Sequence, residues 1–170
     1  LAICRGYVGY ACGFFEPEAE AVESQSFERA KALRLRAERL YLRALGYCRQ
    51  ALDLGFKGVG EELGIAPDAA LARVGKQAVE TLYWTGVAWG SAVSLGLDHP
   101  ERIAQLPTVR AIFERALVLD EAWDRGSLHE AMIVFDSMPA MMGGSAEVAR
   151  RHFERSIELS QGLRASPYVT

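Results

Sequence analysis

The pair His129-Glu130 opens a zinc-protease helix motif, in which a second imidazole follows four residues after the first so that both share one face. Ile133 occupies that place. His99, beside Pro100, and His152, on a later segment, fall at no metal-ligand spacing, so no metal site is read and no cofactor is called for. His129 is expected instead at a polar position where helices meet. Nucleophilic catalysis needs a serine or cysteine beside a base, and neither a Gly-x-Ser-x-Gly turn nor a substitute for it in Gly86 to Gly90 occurs. Gly58-Val59-Gly60 lacks the preceding strand and the lysine of a phosphate cradle. Glu61-Glu62 and Asp120-Glu121 are expected near helix starts, where carboxylates complement the helix dipole.

Binding chemistry is better represented. Tyr7, Tyr10 and Phe14 come early, Tyr83, Trp84 and Trp89 in mid-chain, and Met132, Phe135, Met138, Met141 and Met142 late. Together they exceed what a helical core strictly needs, and the surplus could line an apolar cavity. Tyr83 and Trp84 are adjacent, about 100 degrees apart on a helix, so one pocket cannot receive both squarely. Lys76 stands less than a turn before the run Val79 to Leu97, where an ammonium could meet a ligand carboxylate or simply snorkel to solvent. The candidate cavity residues are Tyr7, Tyr10, Lys76, Tyr83, Trp84, His129, Phe135 and Met142, each weighed against plain core packing.

These side chains must be positioned by a chain of 170 residues, half of them apolar, a length that suits one domain with a single core. Lysine and arginine number 19 against 22 aspartates and glutamates, a net charge of -3, so no overall field favours nucleic acid. The longest uncharged stretch, Thr81 to Leu97, is shorter than the roughly 20 residues of a membrane span and contains three glycines, which predicts a buried helix. Cys4, Cys12 and Cys48 are three, and the first two are too far apart on one helix to bridge, so disulfides are not expected to organise the fold. Leu1-Ala2-Ile3-Cys4 has the outline of a lipidation box, but Ile3 is too large for it, and Cys4 reads as a buried helical cysteine. With no initiator Met or leader at Leu1, and a stop just after Pro167-Tyr168, both ends read as trimmed.

Apolar residues recur at three- and four-residue steps nearly throughout, which predicts an all-α fold of about eight helices. Breaks are expected at Glu16-Pro17-Glu18, between Gly55 and Gly64, at Asp98-His99-Pro100, Leu106-Pro107 and Gly126, from Pro139 to Ser145, and at Gly162. Asp68 and Ser145 are candidate N-caps, Pro100 and Pro107 suit first turns, and Gly162 a left-handed cap. One apolar stripe runs from Phe27 through Ala30, Ala37, Tyr41 and Cys48 to Leu52. Opposite lie Arg29, Arg36, Arg39, Arg43 and Arg49, interspersed with acids, as a solvated face.

A pattern of bulky residue, two spacers, small residue, aliphatic, spacer and leucine occurs four times, beginning at Cys48, Trp89, Phe113 and Phe153. It matches the second helix of a tetratricopeptide hairpin, where the small residue lets helices approach and the bulky one fills the gap between hairpins. The copies are 41, 24 and 40 residues apart rather than about 34, so the expected domain is an irregular tetratricopeptide-like superhelix spanning 1–170.

Longer blocks resemble one family, the T component of tripartite ATP-independent periplasmic (TRAP) transporters. They are Arg36 to Ala44, Leu82-Tyr83-Trp84-Thr85 with Trp89, Arg115 to Asp120, Gly126 to His129, and His152 to Ser156 followed by Ser160-Gln161-Gly162 and Pro167-Tyr168-Val169. The Met-rich loop from Asp136 to Ser145 is short, and Ser156 stands where such repeats prefer alanine. The resemblance implies a periplasmic protein lipid-anchored through a cysteine upstream of Leu1, a homotrimer that docks the transporter's solute-binding protein, and an internal apolar channel for a hydrophobic molecule. It implies no enzyme. The alternatives are a generic tetratricopeptide adaptor for a peptide segment, and an enzyme built on a buried cluster of His129, Glu130 and Lys76.

Overall fold

A computed structural model describes residues 1–168, and among them it contains helices and no strand. α1 (Ala2–Tyr10) continues through a π-helical stretch (Ala11–Phe15) into α2 (Glu16–Glu23). The break expected at Glu16-Pro17-Glu18 therefore does not occur. Pro17 enters the first turn of α2, and the wider π turn before it accommodates a residue that has no N–H for the preceding turn.

α3 (Phe27–Gly55) is the spine, capped by Ser26, whose hydroxyl accepts from the Arg29 amide at 3.3 Å. Ala30, Ala37, Tyr41, Ala44, Cys48 and Leu52 are buried as their spacing predicts, and the small residues let α1, α2 and α6 (Val79–Ser94) lie close against this one rod. The Tyr41 hydroxyl donates to Glu16, tying α2 to α3. Phe27, at the head of the stripe, is exposed. Arg49 departs from the solvated basic face and turns half inward, because its position on α3 faces the ring of Trp89 on α6.

Cys4 and Cys48 form a disulfide between α1 and α3, with Cα atoms 5.4 Å apart. This corrects the expectation that no bridge organises the fold: Cys4 and Cys12 are too far apart on one helix to pair, but helix packing closes the separation of 44 residues between Cys4 and Cys48. Cys12 is free and exposed.

The turns α4 (Val59–Glu62) and α5 (Pro67–Ala72) lead to α6, and α7 (Pro100–Ile103), α8 (Leu106–Asp120), α9 (Ser127–Asp136) and α10 (Ala146–Ser160) follow. With the four-residue turns α4 and α7 set aside, eight helices remain among the described residues. Ser145 caps α10, and Pro100 and Pro107 occupy first turns. Asp68 does not cap: Ala66 holds the cap position of α5, leaving Asp68 inside the first turn. The left-handed end of α10 begins at Gln161 and continues through Gly162.

α6 packs on α8, α8 on α9, and α9 on α10, giving successive helical layers. The repeated motif marks much of this packing: Cys48, Trp89, Phe113, Ala92, Ala116 and Ser156 are all buried.

Candidate functional site

The layer of α6, α8 and α9 is built around a close approach. A Cβ at Gly86 would stand 2.6 Å from the ring of Phe113, so only glycine admits α8 at that distance. Gly86 and Gly90, one turn apart, let α8 side chains close on α6 and line a cleft of about 310 Å³ beside them. Its walls include Tyr83, Val87, Leu106, Phe113, Phe135 and Met138, with polarity confined mainly to Ser91 and Ser94. A second hollow of about 520 Å³ shares Leu106, Phe135 and Met138 and adds Arg110 and Met142 at its border.

Of the residues proposed for a cavity, Tyr83, Phe135 and Met142 gather here. Tyr83 packs against Trp123 at 4.7 Å and edge-on to Phe113 at 6.2 Å, and burial pushes its hydroxyl pKa up. Trp84 lies outside the cleft lining, with the Arg5 guanidinium 5.3 Å from its ring. Tyr7 stacks on Tyr47 at 5.8 Å and Tyr10 meets Phe15 at 5.3 Å, both on the α1 arm. Lys76 is an exposed ion-pair partner of Asp120 at 3.1 Å.

His129 belongs to a polar seam between α9 and α10. Its Nδ1 lies 2.7 Å from Nδ1 of His152, and its Nε2 lies 3.2 Å from Glu121 Oε1. His152 Nε2 faces Asp136 Oδ2 at 3.5 Å, and the other Asp136 oxygen accepts from Arg110 at 2.8 Å. Glu130 points elsewhere, accepting from Ser166 at 2.7 Å. Arg164 Nε also stands 2.7 Å from Glu130 Oε1, close enough for an ion pair although the N–H is not aligned for a hydrogen bond. His129, Glu130 and Lys76 thus have three separate sets of partners and form no common cluster. Among the described residues no group of three His, Cys, Asp or Glu side chains is placed to hold a metal ion.

Val87, Leu106 and Phe113 in the cleft, and His152, Asp136 and Arg110 in the seam, are not among the candidates that residue type and spacing point to. The signal for the cleft lay in Gly86 and Gly90, two glycines at helical spacing in an uncharged segment. The seam had no local signal, because its partners come from different helices.

The geometry offers an apolar cleft with a fixed polar seam apart from it, an arrangement suited to holding a molecule. The family described as TRAP transporter T-component matches residues 1–170, the whole chain. The chain belongs to the TRAP transporter T-component family. It is also similar to a protein of Treponema pallidum (strain Nichols) described only as uncharacterized, at 30% identity over 91% of this chain and 49% of that protein. The chain therefore spans about half the length of that relative. No helix among the described residues is long and apolar enough to cross a membrane.

Proposed function

We propose that this T-component is a non-enzymatic accessory protein of a TRAP-type transporter, docking the periplasmic solute-binding protein and holding an apolar or amphipathic molecule between α6, α8 and α9. The observation that carries the reading is the cleft itself, about 310 Å³ with almost wholly hydrocarbon walls. That volume falls in the range of small-molecule sites, which are mostly apolar with a few polar groups. The Cys4–Cys48 bridge supports a periplasmic setting, since structural disulfides persist in oxidising compartments. A tetratricopeptide-like hairpin register belongs to the same reading and rests on the fourfold sequence pattern, while a homotrimer and an upstream lipid anchor rest on the family resemblance.

Val134 borders the cleft and is half exposed, so Val134→Trp should fill the space with little disturbance of the core. The neutral dye N-phenyl-1-naphthylamine should brighten with the wild-type protein and not with this variant. Equal brightening with both would remove the cleft from the proposal. Sedimentation velocity of the full-length protein with its cognate solute-binding protein should show a faster complex; two independent boundaries at high concentration would sink the docking.

A further inference from the structure

On another side of α6, a cavity of about 420 Å³ is bordered by Leu42, Leu45, Arg49, Trp89, Arg102 and Gln105. The Arg49 guanidinium lies 4.3 Å from the Trp89 ring centroid. Trp89 is held by its Nε1–H, which donates to Gln105 Oε1 at 2.6 Å. Other half-buried arginines among the described residues have acceptors: Arg34, Arg102, Arg110, Arg155 and Arg164 meet carboxylates, and Arg115 donates to the Val74 carbonyl. Arg49 differs. Its guanidinium has no hydrogen bond or ion pair among the described residues, its Nε is buried, and one oxygen of neighbouring Asp53 is taken up by the Gly60 amide at 2.7 Å. Burial pulls the Arg49 pKa down, and the Asp53 carboxylate opposes that shift without forming an ion pair with it.

The charge around the cavity is therefore unequal. Glu38, itself buried, accepts from Arg102 at 3.1 Å and neutralises it, which leaves Arg49 as one surplus positive charge. A guanidinium lying near an aromatic face keeps its in-plane N–H groups for a planar acceptor, and a carboxylate matches that fork. The single surplus charge fits a monoanion, and Leu42, Leu45 and the indole offer apolar contact to a hydrocarbon or aromatic body.

We propose that the cavity beside Arg49 binds the carboxylate of a small organic acid, with the guanidinium on Trp89 as its anion receptor. This site is distinct from the apolar cleft and does not depend on the cleft's occupant.

The test is nitrogen-edited NMR of the Arg49 Nε–H and Trp89 indole N–H signals during titration with acetate, benzoate and phenylacetate. At least one acid should shift both signals saturably, and phenylacetamide, which lacks the charge, should not. Arg49→Gln should weaken that binding roughly tenfold or more, and Arg49→Lys, which keeps the charge without the fork, by less. Arg49→Gln should also melt no lower than the wild type, because it removes a desolvated charge with no partner to orphan. Should Arg49→Gln fail to fold, Arg49→Lys carries the comparison, and undiminished acid binding by it would count against the receptor role. No saturable shift with any of the three acids would overturn the proposal, as would equal binding of phenylacetamide. Equal competition by inorganic phosphate would overturn the assignment to carboxylates. Naphthylamine uptake by Arg49→Gln should match the wild type, which separates failure here from failure of the cleft.

Discussion

His129 and His152 meet nitrogen to nitrogen at 2.7 Å, a distance that one shared proton turns into a hydrogen bond and two turn into repulsion. Burial pushes both imidazole pKa values below their ordinary 6.5, and for His129 the facing imidazole adds to the effect. Asp136 opposes the shift at His152, and Glu121 opposes it at His129. Because the folded-state values are depressed, the unfolded chain takes up protons first as the pH falls, so the seam's full contribution is present above about 6.5 and declines below it. Hydrogen bonds from Arg155 hold Glu121 at about 2, which adds a loss in the same direction as pH falls from 4.5 towards that value. The melting temperature should therefore drop on acidification from about pH 7 to about pH 5, and His152→Gln, which does not titrate, should flatten the drop. A calorimetric melting series in both proteins measures it; parallel profiles would show that the pair is not the sensor.

At the scale of elements, the arm of α1 and α2 is joined to the spine α3 by its packing, by Tyr41 on Glu16, and by the Cys4–Cys48 bridge. The bridge closes a separation of 44 residues, and cross-links of that span restrict the unfolded chain by an amount worth about 2–4 kcal/mol. The double variant Cys4→Ala, Cys48→Ala should lose about that much stability in urea unfolding while keeping its helical circular dichroism. A loss well under 1 kcal/mol would mean that helix packing alone fixes the arm. The same arm shows where reading by element fails. Pro17 is a sound helix breaker in isolation, yet a π turn built from Ala11–Phe15 absorbs it, because Ala11, Phe15 and Ala19 keep their faces on the core. Helix existence was legible from periodicity throughout α3, α6, α8 and α10, whose apolar residues repeat at helical spacing.

At the scale of the molecule, the cleft and the Arg49 cavity use different sides of α6, one apolar and one cationic. An occupant that binds only the folded chain raises its stability, so naphthylamine at saturating concentration should raise the wild-type melting temperature and leave Val134→Trp unchanged. A rise of equal size in both, read by calorimetry, would place the dye elsewhere.

The sequence alone determined the all-α class, much of the buried face of each long helix and the family, because these depend on spacing within segments and on ordered blocks along the chain. It also named Tyr83, Phe135 and Met142 for a cavity, though among side chains that tertiary packing sends to other surroundings. What the fold decided was pairing across helices: Cys4 with Cys48, His129 with His152, Asp136 with Arg110, and Arg49 with Trp89. Helical periodicity tells which face of a segment turns inward, but not which other face it meets. Partners separated by 23 to 44 residues become neighbours only when the layers close, and the cleft is the space those layers leave between them.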